Sequence, residues 1–308
     1  MKYTDSICYF RDGFLSAKDA NLNIASSPVL YGLSVYTVFA ATWNKSTKEL
    51  YVFRLKDHFK RLKNSANIMD FDSFVSDWTY EKFEKIVLEL LKRNAVEENV
   101  LVRATVFIDE IAAGTKIHGL KNSLSVYAYP MGEILPRNGI HACVSSWQRT
   151  ADNAIPSRAK INGSYANASL MKNEALLNGY DEAISVDKNG HVCEGTVANI
   201  CIVRDGQLIT PDPATDILEG ITRDTILRLS EMAKIPTIQR SIARSELYVA
   251  EEVFMCGSSA QITPVLSIDR RQIADGKSGP ITEKLKALLG QLQNGSNKNF
   301  SEWTQKVV

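Results

Sequence analysis

The stretch SRAKINGSY, residues 157–165, sets a lysine among small residues. A lysine nitrogen forms a Schiff base only when it is free of its proton, and burial among Ala159, Ile161 and Gly163 favours that form. The plainer reading is a solvated surface charge. Glu194 lies in CEGT on a strand-like run, turned either inward with Thr196, Ala198 and Ile200 or outward to water. The segment GITRD puts the N–H groups of Ile221 and Thr222 at a helix start, where unpaired donors and the helix dipole favour a phosphate. The stretch MCGSSAQITP offers a Gly-Ser-Ser turn with the hydroxyls of Ser258 and Ser259. Taken singly, each of these is an ordinary strand glutamate, capped helix or loop.

The elements that would carry these residues follow from periodicity. SICYF, VLYGLSVYTVFAATW and ELYVFRL read as strands. Asp57 is placed to cap a helix whose Phe59, Leu62, Ala66 and Met69 recur at helical spacing, with His58, Arg61 and Ser65 on another face. A second helix spans about 80–95, with Glu81/Lys85 and Glu89/Arg93 spaced to pair. In VLVRATVF, alternation puts Leu101, Arg103, Thr105 and Phe107 on one face, where the Arg103 cation attracts a carboxylate or answers an internal acid. MGEILPRNG, 131–139, has the Pro and Gly composition of a connector. Beyond it come the short strands HACVSSW and RAKI, then a helix in NASLMKNEALLNG ended by Gly179. A three-strand meander turns at Asn189-Gly190 and Asp205-Gly206, both with type I′ composition. A further helix starts with Thr222 as its cap. The polar tail GQLQNGSNKNFSEWTQKVV is expected to be partly mobile.

The totals narrow the partners. The chain has 308 residues, enough for two domains, and its 36 basic and 35 acidic side chains leave a net charge of +1. That gives no field to gather nucleic acid and no strong pull toward an anionic membrane. The five cysteines are scattered, with no C-x-x-C pair, so neither a disulfide framework nor a metal site is expected. No leader-like run opens the sequence and no segment approaches a membrane span, which points to a cytoplasmic protein acting on small molecules.

Joint order and spacing carry more than any single feature. The blocks YGLSV, FRLKDHFKRLKNSA, AKINGSY, GYDEAISVDKNGHVCEGTVANICIV, LITP, ILEGITRDTIL and EEVFMCGSSAQITPV resemble those of the class IV (fold type IV) pyridoxal-phosphate aminotransferases. The resemblance is closest to the branched-chain amino acid aminotransferases and runs from about Tyr31 to about residue 280. It implies an α/β (α+β) protein of two domains. A smaller N-terminal α/β sandwich would occupy 1–132, a linker 133–139, and a larger domain with an antiparallel pseudo-barrel 140–308. It implies pyridoxal 5'-phosphate as cofactor, with Lys160 as its Schiff-base lysine and proton shuttle. Tyr165 would bond the cofactor's phenolic oxygen, and Glu194 would pair with the pyridine nitrogen so that the ring accepts electrons. Arg61, the amides of Ile221 and Thr222, and Ser258 would hold the phosphate. Tyr31, Tyr36, Arg103, Tyr129, Ser258 and Ser259 would line the substrate side. The family also implies a homodimer or larger assembly, with Tyr31 and the loop 108–115 lent to the neighbouring site.

The expected reaction is transamination between branched-chain L-amino acids (Leu, Ile, Val) and 2-oxoglutarate. Two departures bear on it. Branched-chain enzymes usually read Val-Phe-Glu-Gly-Ile where this chain has Val35, Tyr36, Thr37, Val38 and Phe39, an order similar to that of (R)-selective amine transaminases. Leu101 stands where the family has the Tyr of Tyr-x-Arg. The alternatives are therefore an (R)-amine or D-amino acid transaminase, an aminodeoxychorismate lyase of the same fold, or a cofactor-binding protein without turnover.

Overall fold

A computed structural model describes residues 6–297 and 299–307. Residues 1–5, where the leader-free reading of the N-terminus falls in part, lie outside the described residues. The chain forms two compact units. The first holds residues 1–132, 159–164 and 291–308; the second holds 133–158 and 165–290. Two stretches expected in the larger domain, 159–164 and the tail, thus belong to the first unit, because each adds backbone pairing to its sheet.

The first unit is built on β1 (Ile7–Phe10), β2 (Gly13–Ser16), α1 (Ser27–Tyr31), β3 (Ser34–Asn44), β4 (Glu49–Phe53), α2 (Leu55–Ile68), α3 (Asp72–Asp77), α4 (Tyr80–Arg93), β5 (Val100–Ile108) and β6 (Asn122–Pro130). Its sheet is antiparallel throughout, and β3 and β5 are its long centre. Residues facing each other across an antiparallel pair share a face. Thr37, Ala104 and Val126 therefore lie on one face with Phe39, Val102 and Ala128. There Phe39 meets Phe83 of α4 and His58 of α2, and Leu62, Phe83, Val87 and Leu90 fill a closed apolar layer. The opposite face carries Tyr36 with Thr105, Arg103 with Tyr127, and Leu101 with Tyr129. It is the less buried face, as alternation along VLVRATVF requires.

Several local expectations are corrected here. Val29 to Tyr31 are helical rather than part of a strand, because Gly32 in the left-handed region ends α1. Arg54, not Asp57, stands at the N-cap of α2, and its Nε donates to Asp57 Oδ2 at 2.7 Å. RAKI is no strand but a single bridge, Ile161 to Val35. The tail is ordered into pairing. Its strand β16 (Thr304–Lys306) extends the sheet beside β4, with the Arg54 guanidinium 4.5 Å over the Trp303 ring.

The second unit contains β7 (Ile140–Val144), α5 (Tyr165–Leu177), β8 (Glu182–Val186), β9 (Val192–Gly195), β10 (Asn199–Arg204), β11 (Gln207–Thr210), α6 (Ile221–Met232), β12 (Thr237–Gln239), β13 (Glu252–Gly257), β14 (Gln261–Ile268), β15 (Arg271–Gln272) and most of α7 (Pro280–Gln293). Strand order runs β10-β13-β14-β7-β8-β9, and β9 pairs back to β10, so the sheet closes on itself. Ile140, Ile184, Val192, Ile200, Met255 and Val265 come from all six strands and meet in one apolar cluster inside. The closure is the expected pseudo-barrel, with two parallel pairings, β14 to β7 and β7 to β8. Between β7 and β8, α5 crosses over the outside, burying Met171 and Ala175 against Cys143 and Ala183.

The meander has four strands rather than three. The run from 191 to 204 turns back at Thr196–Ala198, where Gly195 N–H donates to the Ala198 carbonyl at 2.8 Å. A side chain on Gly195 would meet Met255 Sδ at 2.8 Å, so glycine lets this turn sit on the strand below. Asp205 and Gly206 both have the positive φ of a type I′ turn; at Asn189-Gly190 only the glycine does. Gly220, rather than Thr222, caps α6.

Candidate active site

In the first unit, Lys160 is positioned by its backbone. β4 pairs with β3 only over Ala41–Asn44, which leaves the edge at Ser34–Tyr36 open. Residues 160–162 occupy it: Tyr36 N donates to the Lys160 carbonyl and Asn162 N to the Ser34 carbonyl, both at 2.9 Å. On the other side, Lys160 N donates to Ser65 Oγ of α2 at 3.1 Å. The turn beyond is tight, since a Cβ on Gly32 would lie 2.7 Å from Gly163 Cα. Ala159 and Ile161 are buried as expected, but Lys160 itself is half-buried, because its side chain leaves on the open face of the sheet. Its Nζ lies 5.0 Å from the centroid of the Tyr36 ring.

The same ring carries Arg103, whose Cζ stands 3.7 Å from the centroid. Arg103 Nε donates to Thr105 Oγ1 at 3.3 Å and Nη2 to Asn162 Oδ1 at 2.5 Å, while Asn162 Nδ2 donates to Ser34 Oγ. Every one of these partners is neutral, and no carboxylate pairs with Arg103 among the described residues. Tyr129 lies on this face with its phenol pushed up by burial. Tyr31 ends α1 and is exposed.

Arg61 approaches from α2. Its Nη2 donates to Thr37 Oγ1 at 3.2 Å, and Thr37 Oγ1 lies 2.7 Å from His58 Nδ1. Arginine only donates, so the Thr37 oxygen accepts from Arg61 and sends its own hydrogen to His58, which accepts at Nδ1 as a neutral ring. Burial first, then the charges of Arg61, Arg54 and Lys160, holds the His58 pKa well below the ordinary histidine value. Thr37, one of the departures from the branched-chain pattern, thus faces α2 and is fully buried, away from the face that carries Tyr36 and Arg103.

In the second unit, Glu194 is buried at the end of β9. Oε1 pairs with Arg149 Nη2 at 2.8 Å, and Oε2 accepts from Asn199 Nδ2 at 2.9 Å and Leu218 N at 3.2 Å. Burial, and then the Glu194 charge, raises the Cys193 thiol pKa, which keeps that sulfur a protonated, inert neighbour. Asn199 joins the parts. Its Nδ2 also donates to the Leu218 carbonyl at 2.9 Å, and it faces Glu194 on β9 and Cys256 on β13. A Cβ on Gly220 would fall 2.0 Å from Asn199 Oδ1, so only glycine lets α6 begin so close. The first ladder bond of α6 is Asp224 N to the Gly220 carbonyl, placing the Ile221 and Thr222 amides ahead of it in the first turn. Ser258 and Ser259 form the half-buried turn between β13 and β14, one residue past the Gly257 to Gln261 pair. Tyr165 is the first residue of α5.

The sequence-expected residues thus fall into two groups. Lys160, Arg61, Tyr36, Arg103, Tyr129 and Tyr31 belong to the first unit; Glu194, Ile221, Thr222, Ser258, Ser259 and Tyr165 belong to the second. The residues holding these in place, Thr37, Asn162, Arg149, Asn199 and Leu218, were given no role by sequence reasoning. Thr37 was noted only as a departure from the branched-chain pattern, and Asn199 left a trace as a polar residue at the head of the apolar run ICIV. Asp70, Asp72 and His118 gather at the surface but are all exposed.

The chain is similar to known proteins over nearly its whole length. The family model for amino-transferase class IV matches residues 34–268. A "Probable branched-chain-amino-acid aminotransferase" of Aquifex aeolicus is 34% identical over 99% of this chain and 98% of that protein. The crystal structure of a branched-chain aminotransferase from Thermoproteus uzoniensis with norvaline superposes with a TM-score of 0.92 at 34% identity, covering 98% of this chain and 99% of that one. A Thermobaculum terrenum branched-chain amino acid aminotransferase in its PLP-form reaches 0.92 at 29% identity, over the full length of both. With a lysine, a buried carboxylate and a glycine-capped helix start in the expected blocks, these matches place the chain in the class IV aminotransferases, enzymes that use pyridoxal phosphate.

Proposed function

We propose that the protein transfers the amino group of branched-chain L-amino acids (leucine, isoleucine, valine) to 2-oxoglutarate, with Lys160 as the lysine that carries pyridoxal phosphate. The reading rests on near-complete coverage at 34% identity by a relative bearing a branched-chain name. It is also supported by Arg103, a cation on the open sheet face whose partners are all neutral. Such a cation keeps its charge for a substrate carboxylate, which favours an amino or 2-oxo acid over a plain amine.

The donor sets suit the cofactor. When bound, pyridoxal phosphate supplies a reactive carbonyl and an electron-accepting ring. The first unit offers an amine at Lys160 and a guanidinium at Arg61 oriented through Thr37. The second offers a carboxylate at Glu194 paired with Arg149, and first-turn amides at Ile221 and Thr222. In this reading Glu194 would pair with the ring nitrogen and Tyr165 would bond the phenolic oxygen. Arg61, Ser258 and the two amides would hold the phosphate. Lys160 Nζ would move the proton between the substrate Cα and the cofactor carbon. Tyr31, Tyr36, Tyr129 and Ser259 shape the substrate side. Apolar contacts separate side chains by about 1 to 3 kcal/mol per methylene, so leucine, isoleucine and valine compete. The reading includes a homodimer in a reducing cytosol, where the five buried free thiols stay reduced.

Rapid mixing of the cofactor-loaded protein with L-leucine, D-alanine and an (R)-arylamine tests it. L-leucine should exhaust the visible absorbance of the bound cofactor, and 2-oxoglutarate should restore it. A response to the arylamine alone would replace this reading by the (R)-amine one, which the order Tyr36-Thr37-Val38-Phe39 favours. Pyruvate released with an aromatic amine would mark a lyase.

A further inference from the structure

The pairing of β8 with β9 slips by one residue. Ile184 faces Gly195 and Val186 faces Val192, so Ser185 alone stands opposite two residues, Cys193 and Glu194. This is a β-bulge, and it decides where the carboxylate goes. Val192 belongs to the apolar cluster inside the barrel. With unbroken alternation Glu194, two residues on, would join it there. The extra residue shifts Glu194 to the side on which Asn199 lies, between Ala198 and Ile200 of the interior cluster, and where Arg149 and Leu218 reach it.

A bulge leaves backbone groups off the ladder, and here a single side chain takes them up. Ser185 Oγ donates to the Glu194 carbonyl at 2.7 Å and accepts from Glu194 N at 3.4 Å. Ser185 is almost fully buried, so water is a poor substitute. The far end of the bulge is braced as well. Thr196 Oγ1 donates to Glu182 Oε1 at 2.7 Å, and Glu182 Oε2 lies 3.3 Å from Lys172 Nζ. We infer that Ser185 is a positioning residue: its hydroxyl locks the β-bulge that aims Glu194 out of the apolar barrel interior and toward the cofactor's ring nitrogen. The inference rests on the proposed role of Glu194; the bulge and its two hydrogen bonds do not.

Two measurements separate those levels. In the cofactor-free protein, amide exchange over residues 192–199 should speed up markedly in Ser185→Ala and stay near native in Ser185→Thr, which keeps the hydroxyl. In the loaded protein, Ser185→Ala should weaken cofactor binding about ten- to a hundred-fold, as expected when buried backbone groups lose a partner. It should also move the 15N resonance of labelled pyridoxal phosphate toward the unprotonated ring. Ile268→Val, a conservative core change in the same barrel, should lower the melting temperature without moving that resonance. Should Ser185→Ala not fold, Ser185→Cys, a weaker donor of similar size, should give an intermediate exchange rate and resonance shift. Native exchange and resonance in Ser185→Ala would overturn the inference, and so would equal losses in Ser185→Ala and Ser185→Thr. A native protein that binds no cofactor would instead overturn the assignment of Glu194, and the exchange data would still judge the bulge.

Discussion

Arg103 and Glu194 are charged residues treated in opposite ways. Arg103, in the first unit, is surrounded by neutral partners: the Tyr36 ring, Thr105 and Asn162. Glu194, in the second, is buried against a full counter-charge, Arg149, with an amide side chain and a backbone N–H on its other oxygen. A charge with neutral partners is oriented but not cancelled, so it remains available to a ligand of opposite sign. A charge with a buried counter-ion is fixed in place, its field answered within the fold. The two units therefore treat a charge differently: the first surrounds a cation with neutral partners, and the second pairs an anion with a buried counter-ion.

The contrast can be broken at several strengths. The largest effect is expected at the amine beside Arg103: Lys160→Ala should lower single-turnover conversion of L-leucine by about 10⁴-fold, the upper range for losing a proton-transfer group. Retained turnover would remove the reason to read this face as reactive. Next comes the counter-ion. Arg149→Leu leaves Glu194 buried without its partner and should cost about 3 to 5 kcal/mol in urea unfolding. Arg103→Leu should change stability by less than about 1 kcal/mol and instead raise KM for amino acids about ten- to a hundred-fold. Equal stability losses in the two variants would erase the distinction.

A smaller effect sharpens the picture of the first unit. The folded His58 pKa is depressed by burial and by the Arg61, Arg54 and Lys160 charges. Its contribution is therefore complete above the unfolded value of about 6.5 and is lost as pH falls below that value toward the folded one, by at most about 1.4 kcal/mol per pH unit. His58→Gln, which still accepts from Thr37, should flatten that slope in unfolding curves between pH 7 and 5. The smallest change is expected next to the tail strand that extends the first unit's sheet. Trp303→Ala removes the ring under Arg54 and should cost about 1 kcal/mol by thermal melting, with turnover retained.

Much of this was legible before any coordinates. The helix carrying His58, Arg61 and Ser65 on one face forms as its spacing predicts, and all three side chains are used on that face. Alternation along VLVRATVF placed Arg103 with Thr105 on the less buried side. Failures cluster where the chain breaks its own period. The middle strand of the meander reads as one run, yet it bulges at Cys193–Glu194 and turns at Thr196–Ala198, and neither event changes the residue types that periodicity senses. RAKI looked like a strand because its pairing partner lies more than a hundred residues earlier and extends over a single bridge. The tail looked mobile because polar composition says nothing about an open sheet edge waiting beside β4.

The sequence by itself determined the inventory of candidate residues: a lysine before a tight glycine turn, an acid on a strand, an arginine on a helix, and glycine at a helix start, in blocks that resemble those of its family. Those are properties of residue type and spacing, which local chemistry writes directly into the chain. Only the tertiary structure decided which charges are cancelled and which are left available, because Arg149, Asn199 and Asn162 reach their partners across strands and loops. It also decided on which side of the barrel wall Glu194 emerges, since one extra residue facing Ser185 reverses an alternation that sequence alone would have continued.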